Sequence, residues 1–110
     1  MKVHLIKHQT VENYVKENAR SRVSFNKFLN ELKFANWNRP GDIKKTFGPA
    51  DLLGNGSSRV VIDIGGNAFR LIGKYYFGHK KVHLFICWIG THAEYDMLCA
   101  KNEQYTIHAY

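Results

Sequence analysis

A short polar segment late in the chain combines side chains that can carry protons. Its sequence is Thr91-His92-Ala93-Glu94-Tyr95, and imidazole, carboxyl and phenol groups all serve as general acids or bases. His92 and Tyr95 are three residues apart, so they point the same way if the segment is helical. The segment therefore predicts acid–base chemistry, and which of His92, Glu94 and Tyr95 moves a proton stays open.

The same residues also have structural explanations. Thr91 and Glu94 have the T-x-x-E spacing of a capping box, which begins a helix by satisfying its first backbone N–H groups. For these two residues the spacing favours capping over chemistry. His92 is equally compatible with a solvated position in the first helical turn, and Tyr95 with a core aromatic whose hydroxyl reaches the surface.

Arginines and lysines on the preceding segments are candidates for stabilising a phosphate. Cleavage of RNA by its own 2′-OH needs a base, an acid and cations that offset the charge developing at phosphorus. Arg59, Arg70 and Lys74 are suitable cations. The chain has 16 Lys and Arg residues against 9 Asp and Glu, a net charge of +7 at pH 7, which favours polyanionic partners such as nucleic acid. Exposed strands are also commonly basic without any function.

Three strands are predicted to position these cations. Residues 59–89 are rich in β-branched and aromatic side chains and contain two glycine turns, which indicates an antiparallel meander. A short strand over residues 2–6 and two amphipathic helices precede it, and a last helix is predicted over residues 92–100. The expected fold class is α+β: two N-terminal helices packed on one face of an antiparallel sheet, with a short C-terminal helix, in one domain over residues 1–110.

The alternation of side chains along these strands predicts which of them share a face. A two-residue turn at Gly65-Gly66 would pair Ile62 with Phe69, and the apolar face would continue to Trp88. If the second loop has an even length, the polar side chains collect on the opposite face, which no helix covers. A three-residue loop would turn the side chains of the last strand away. With an even loop, the opposite face holds Arg59, Arg70, Lys74, Tyr76, Lys81 and His83.

No motif for a metal or a cofactor accompanies these residues. His4 and His8, and likewise His79 and His83, are four residues apart, but neither pair lies clearly within a helix, and no C-x-x-C or H-E-x-x-H motif is present. The first glycine turn lacks the Gly-Lys-Ser/Thr sequence of a phosphate loop. We therefore expect metal-independent chemistry with no cofactor.

Cysteine usage and hydropathy predict the cellular compartment. Cys87 and Cys99 are expected to be free thiols, as is usual in the cytosol. No stretch reaches the roughly 18 to 20 apolar residues that span a bilayer, and the first residues lack the apolar region of a signal peptide. The sequence predicts a cytoplasmic protein with no membrane partner.

Three segments resemble the HigB toxin family. They are residues 37–44 (WNRPGDIK), 64–72 (IGGNAFRLI) and 90–96 (GTHAEYD), and the last is the most specific. The resemblance implies a RelE-like α+β fold and an endoribonuclease that cleaves messenger RNA on the ribosome. It also implies a partner antitoxin of the helix-turn-helix, HigA-like kind.

The resemblance also implies roles for particular residues. Arg70 matches the arginine that RelE-like proteins carry in the strand after the hairpin turn, and Tyr95 matches the tyrosine of their G-H-R-x-x-x-Y segment. His92 replaces a basic residue of that segment, and this departure leaves the proton-transferring residue open. The catalytic candidates are Arg70, Lys74, His92, Glu94 and Tyr95, and the RNA-binding candidates are Arg59, Asn67, Lys81 and His83.

Other classes of activity fit the same fold. The superfamily includes ParE-like toxins, which bind DNA gyrase without chemistry of their own, and such a non-enzymatic toxin is the main alternative. A plain RNA-binding regulator is a third hypothesis. A pure binding module has no need for a cluster of titratable and cationic side chains, and this favours the enzyme.

Overall fold

The computed structural model describes residues 1–110 and contains four α-helices and a five-stranded sheet. The strands lie in the order β1-β5-β4-β3-β2, and the predicted α+β fold class is confirmed. Two short 3₁₀ turns, Ala19–Ser21 and Pro40–Asp42, precede α2 and α3. The elements are β1 (Lys2–Ile6), α1 (His8–Glu17), α2 (Arg22–Lys33), α3 (Ile43–Thr46), β2 (Asp51–Leu52), β3 (Arg59–Ile64), β4 (Phe69–Phe77), β5 (Lys81–Thr91) and α4 (His92–Ala100).

Helices α1 and α2 place their apolar residues in the main core with the sheet. Val11 and Val15 are one helical turn apart on α1, and both are buried. Phe25 on α2 is fully buried, with its ring 6.2 Å from that of Phe69 on β4. Burial of one such side chain contributes roughly 1.5 to 3 kcal/mol. These contacts belong to a cluster of 19 buried residues on one face of the sheet.

The hairpin between β3 and β4 has a four-residue loop rather than the predicted two-residue turn. Ile64 pairs with Phe69, so Ile62 pairs with Leu71 and not with Phe69. Because the shift is two residues, each side chain keeps its predicted face. Gly65 in this loop has φ 66°, and a Cβ there would lie 2.6 Å from Ser24 Oγ, so both the backbone conformation and the packing require glycine.

A β-bulge in β5 changes the face of Trp88. Ile72 pairs with Trp88 and Gly73 pairs with Ile86, which leaves Cys87 as the extra residue. An extra residue reverses the alternation of side chains. Trp88 therefore packs on the face opposite to Ile86, and the prediction that it continues the main apolar face is wrong. The loop after β4 has four residues, because Phe77 pairs with Val82, so the even-length alternative is the one observed.

Strand β1 makes the sheet mixed. It pairs with β5 in parallel, with Val3 opposite Val82 and His4 opposite His83, whereas the prediction was an antiparallel sheet. Parallel neighbours need a long crossover connection, and here the chain from α1 to β4 supplies it. The antiparallel prediction is correct for the β2-β3-β4-β5 part of the sheet.

The second face of the sheet is partly covered, which the sequence analysis did not predict. Helix α4 contributes Leu98 to a small core with Val61, Ile72 and Cys87, and residue Ile107 packs against it. Residues 101–110 continue across this face. The prediction of a face without cover is therefore wrong for its middle part.

Both cysteines are free, as predicted. Cys87 is buried, and burial raises the pKa of its thiol, with smaller opposing effects from Arg59 and Lys74. Cys99 is only half-buried. None of the helices has the length and apolar character needed to cross a membrane.

Candidate functional site

The start of α4 is fixed by a capping box. Thr91 Oγ1 accepts a hydrogen bond from the Glu94 backbone N–H at 3.2 Å, and Glu94 Oε1 accepts one from the Thr91 backbone N–H at 2.8 Å. This reciprocal pair satisfies two backbone donors that would otherwise lack partners at a helix start. The capping prediction is confirmed, and one carboxylate oxygen of Glu94 is committed to it.

Arg70 on β4 is 9% exposed and lies directly opposite Asp63 on β3. Its Nη1 atom is 3.1 Å from Asp63 Oδ1, and its Nη2 atom donates to Asn67 Oδ1 at 3.3 Å. The Asp63 contact is close enough for an ion pair, yet Nη1 makes no hydrogen bond of acceptable geometry. The Arg70 guanidinium is thus oriented by Asp63 and Asn67.

Tyr95 on α4 packs against Arg70. The guanidinium carbon of Arg70 is 5.9 Å from the centre of the Tyr95 ring, within range of a cation–π contact. Trp88 also lies close, with its ring 6.1 Å from that of Tyr95. Burial raises the pKa of the Tyr95 phenol well above its ordinary value, Cys99 and Asp51 add to the rise, and Arg70 opposes it. The phenol is therefore protonated at neutral pH and available as a donor.

His92 is held beside the same hairpin. Its backbone N–H donates to the Ala68 carbonyl at 3.2 Å, which ties the first residue of α4 to the loop that carries Asn67. The imidazole is exposed, with Nε2 3.5 Å from Asp96 Oδ2 one turn along the helix. Imidazole is the side chain that most readily accepts and donates protons near neutral pH.

These residues form one group, which we name the hairpin-end cluster. It brings together a cation, a phenol, an imidazole and an amide at the end of the sheet where β3 turns into β4. Three of its members were among the predicted catalytic residues, and one was a predicted RNA-binding residue. The hairpin-end cluster consists of Asn67, Arg70, His92 and Tyr95, with Asp63 and Asp96 as charged partners.

Arg59 does not lie on an open surface. It is 7% exposed, and its Nη1 atom donates to the backbone carbonyls of Ile107 at 2.7 Å and Gln104 at 3.2 Å. The expectation that Arg59, Arg70 and Lys74 share an exposed face is wrong for both arginines, since the last ten residues cover Arg59 and Tyr95 packs against Arg70. Only Lys74 is exposed. The residue pattern of β3 could not predict this cover, because the covering residues are more than forty positions away in the sequence.

The remaining predicted cations lie away from the hairpin-end cluster. Lys74 is four residues from Arg70 on the same face of β4, about 14 Å at the usual rise of a strand. Lys81 and His83 lie at the opposite end of the sheet, where β4 turns into β5. We name the exposed residues of that end, together with the half-buried His83, the distal patch. It consists of Lys2, His4, Lys74, Tyr76, Lys81, His83 and Phe85.

The two pairs of histidines that are four residues apart in the sequence do not form metal sites. His4 lies beside His83 across two strands, with ring centroids 6.2 Å apart, rather than beside His8. His8 instead contacts Glu12, its Nδ1 atom 3.2 Å from the carboxylate. No group of three His, Cys, Asp or Glu side chains is close enough together to hold a metal ion.

Two acidic residues of the site were not identified from the sequence. Asp63 faces Arg70 only in the observed pairing, whereas the predicted two-residue turn placed Val61 there. A prediction of a four-residue loop over Gly65-Gly66-Asn67-Ala68 would have placed Asp63 opposite Arg70. Asp96 was detectable as the residue one helical turn after His92.

Comparison with known families covers most of these elements. A family model for HigB toxin, described as a RelE-like toxic component of a toxin-antitoxin system, matches residues 21–98. No curated protein matches the chain. The matched region extends from α2 through the sheet to Leu98 on α4, and it includes Arg70, His92 and Tyr95. Because this one family model accounts for most of the chain, the protein belongs to the HigB toxin family and is the toxin of a toxin-antitoxin system.

Proposed function

We propose that this toxin is an endoribonuclease that cleaves messenger RNA on the ribosome. The observation that carries the proposal is the packing of the Arg70 guanidinium against Tyr95, with His92 tied to the same hairpin through the Ala68 carbonyl. A phosphate beside Arg70 would have a cation, a phenol donor and an imidazole around it. These are the groups that attack by a 2′-OH requires.

His92 is the proposed base of this reaction. Its imidazole takes the proton of the 2′-OH as the 2′-oxygen forms its bond to phosphorus. The bond from phosphorus to the 5′-oxygen breaks, leaving a 2′,3′-cyclic phosphate on one fragment and a 5′-hydroxyl on the other. Exposure of His92 leaves it accessible to an RNA strand, and the nearby Asp96 carboxylate stabilises the imidazolium that forms.

Tyr95 is the proposed acid. Because burial raises the pKa of its phenol, Tyr95 is a poor base at neutral pH and a good partner for a strongly basic leaving oxygen. It gives its proton to the 5′-oxygen, and the Arg70 guanidinium stabilises the phenolate left behind. Arg70 also offsets the charge on the phosphate, with its orientation maintained by Asp63 and Asn67.

Glu94 is not needed for these steps, since one of its oxygens serves the capping box. Lys74, Lys81 and His83 are too distant for the chemistry. Lys81 and His83 remain proposed RNA contacts, and Lys74, which was predicted to be catalytic, is proposed to be an RNA contact instead. The antitoxin partner that the family implies is proposed to be a helix-turn-helix, HigA-like protein. Messenger RNA on the ribosome is the proposed substrate.

The test is cleavage of a defined messenger RNA by purified toxin, with and without ribosomes, mapped by primer extension. Arg70→Ala is expected to lower the cleavage rate about 10²- to 10³-fold, as for loss of one charge-stabilising donor. Tyr95→Phe removes the proposed acid and is expected to lower the rate at least about 10²-fold. Arg22→Ala and Tyr105→Phe, which change the same residue types elsewhere, serve as matched controls.

Unchanged cleavage by both Arg70→Ala and Tyr95→Phe would sink the proposal. Inhibition of gyrase supercoiling by the wild-type toxin, with intact messenger RNA recovered, would instead support the ParE-like alternative. If cleavage is equally fast without ribosomes, the proposed nuclease activity stands and its proposed dependence on the ribosome is wrong.

A further inference from the structure

The distal patch is strongly basic and lacks acidic residues on its strands. Strands β1, β4 and β5 contain no Asp or Glu at all. Lys2, Lys74 and Lys81 are exposed on them, and none of the three takes part in an ion pair. Unpaired lysines on adjacent strands create a positive potential that attracts a polyanion.

Aromatic rings lie among these lysines. Tyr76, next to the end of β4, is 64% exposed, and Phe85, within β5, is 39% exposed. The ring of His83 is 6.1 Å from that of Tyr76 and 6.2 Å from that of His4, so three rings form a row across β4, β5 and β1. Exposure of neighbouring large rings is unfavourable in water unless a partner covers them.

We propose that the distal patch binds single-stranded RNA, with unpaired bases stacked on Tyr76 and Phe85 and backbone phosphates contacted by Lys2, Lys74 and Lys81. Aromatic rings interleaved with cations on a sheet are the arrangement that sequence-tolerant binding of single strands uses. The proposal rests on the proposed function, because it takes RNA as the substrate. It adds a second contact region, separate from the hairpin-end cluster, that holds the strand but takes no part in bond cleavage.

The chemistry of the patch favours a single strand over other occupants. In a duplex the base faces are stacked on each other, so the ring row would have nothing to contact. An acidic protein segment would form ion pairs with the lysines but would not need the row of aromatic rings. Tyr76 is six residues from Arg70 along β4, roughly 20 Å at the usual strand rise, so one RNA segment of a few nucleotides could reach both regions.

The probe for this proposal is a fluorescein-labelled 2′-O-methyl RNA decamer of mixed sequence, which has no 2′-OH and cannot be cleaved by the proposed reaction. Fluorescence anisotropy measures its Kd for the wild-type toxin and for variants. Tyr76→Ala and Phe85→Ala are each expected to raise Kd about tenfold, the usual consequence of losing one stacked base. Phe34→Ala is the matched control, since Phe34 is 75% exposed and lies outside the patch.

Two further measurements separate stacking from simple charge attraction. Tyr76→Trp keeps a stacking surface and is expected to keep the wild-type Kd within about twofold, while Tyr76→Leu is expected to behave like Tyr76→Ala. Lys81→Gln is expected to lower the slope of log Kd against log salt by about 0.7, the value for one phosphate contact on a single strand. A 2-aminopurine base placed in the decamer should lose fluorescence on binding if it stacks.

Equal Kd values for Tyr76→Ala, Phe85→Ala and Phe34→Ala would overturn the proposal, as would tighter binding of a duplex of the same length. So would a weaker complex of Tyr76→Ala with the co-expressed antitoxin at unchanged RNA affinity, since the patch would then be a protein interface. The proposed function fails separately: a toxin that binds the decamer through the patch but never cleaves messenger RNA refutes the nuclease and leaves the patch standing.

Discussion

The two ends of the second sheet face differ in how their charges are arranged. At the hairpin end Arg70 is paired with Asp63 and covered by Tyr95, and His92 lies beside Asp96. At the distal end the lysines have no acidic partners and Tyr76 is 64% exposed. Chemistry needs side chains that are oriented before the substrate arrives, and strand binding needs surfaces that remain open. The contrast supports the proposed division, with cleavage at the hairpin end and RNA binding at the distal end.

Residues 101–110 lie between the two ends. The Arg59 guanidinium donates to two carbonyls of this segment, and the Ala109 backbone N–H donates to the Cys87 carbonyl at 2.8 Å. The segment thus crosses from β3 to β5 near the middle of the face. What the sequence suggests as one continuous basic surface is divided by the chain itself.

The largest effect on RNA cleavage is expected from substituting one histidine in the hairpin-end cluster, compared with one in the distal patch. His92→Ala should lower the cleavage rate constant about 10²- to 10⁴-fold, the usual contribution of a general base. His83→Ala should mainly raise the KM for RNA, because His83 contacts the ring row and not the proposed reaction site. Single-turnover kinetics on ribosomes at varied toxin concentration give both constants. Similar losses in the rate constant for both variants would contradict the division of roles.

The next largest effect concerns the segment that separates the ends. Arg59→Ala should lower the free energy of unfolding by about 1.5 to 3 kcal/mol, since hydrogen bonds from a charged group to the Gln104 and Ile107 carbonyls are lost. Urea denaturation followed by tryptophan fluorescence measures it, with exposed Arg22→Ala as the control. A change below about 0.5 kcal/mol, typical of a surface substitution, would mean that Arg59 does not hold the segment.

The pH dependence of protein stability should report on Tyr95, the buried phenol of the hairpin-end cluster. The folded protein raises the pKa of Tyr95, so above the ordinary tyrosine value of about 10 the unfolded chain loses this proton more readily than the folded one. Stability should therefore fall as the pH rises from about 10, and Tyr95→Phe should make the fall less steep. Burial also raises the pKa values of Cys87, Tyr14 and Tyr110, which contribute to the decline as well. Denaturation at several pH values between 9 and 11 tests this, and parallel curves would contradict it.

The smallest effect is expected at Glu94. Glu94→Gln keeps an oxygen that can accept the Thr91 N–H hydrogen bond, so helix α4 should begin at the same residue. Cleavage is expected to stay within about twofold of wild type, whereas a general acid or base would lose at least about 10²-fold. Thr91→Ala, which removes the cap, should cost about 1 kcal/mol of stability. A large loss of cleavage in Glu94→Gln, without a similar loss in Thr91→Ala, would show that Glu94 is catalytic.

Local patterns in the sequence were enough to predict several features. The capping box marks the start of α4, and the strand over residues 2–6 has the predicted bounds. Alternation placed Lys81 and His83 on the face of Tyr76 only on the condition of an even loop after β4, and the structure meets that condition. Such features depend on residues that are neighbours in the chain or two to four positions apart, where spacing alone sets the geometry.

Tertiary structure decided the rest, because each remaining feature depends on contacts between distant residues. One extra residue at Cys87 turns Trp88 to the other face, and a two-residue change in the hairpin pairing brings Asp63 to Arg70. Arg59 is buried by carbonyls more than forty positions away along the chain. The sequence by itself determined which side chains this protein has for chemistry and roughly which elements carry them. Only the folded chain decided which charges are paired and which stay open, since long-range pairing follows the packing of the whole sheet.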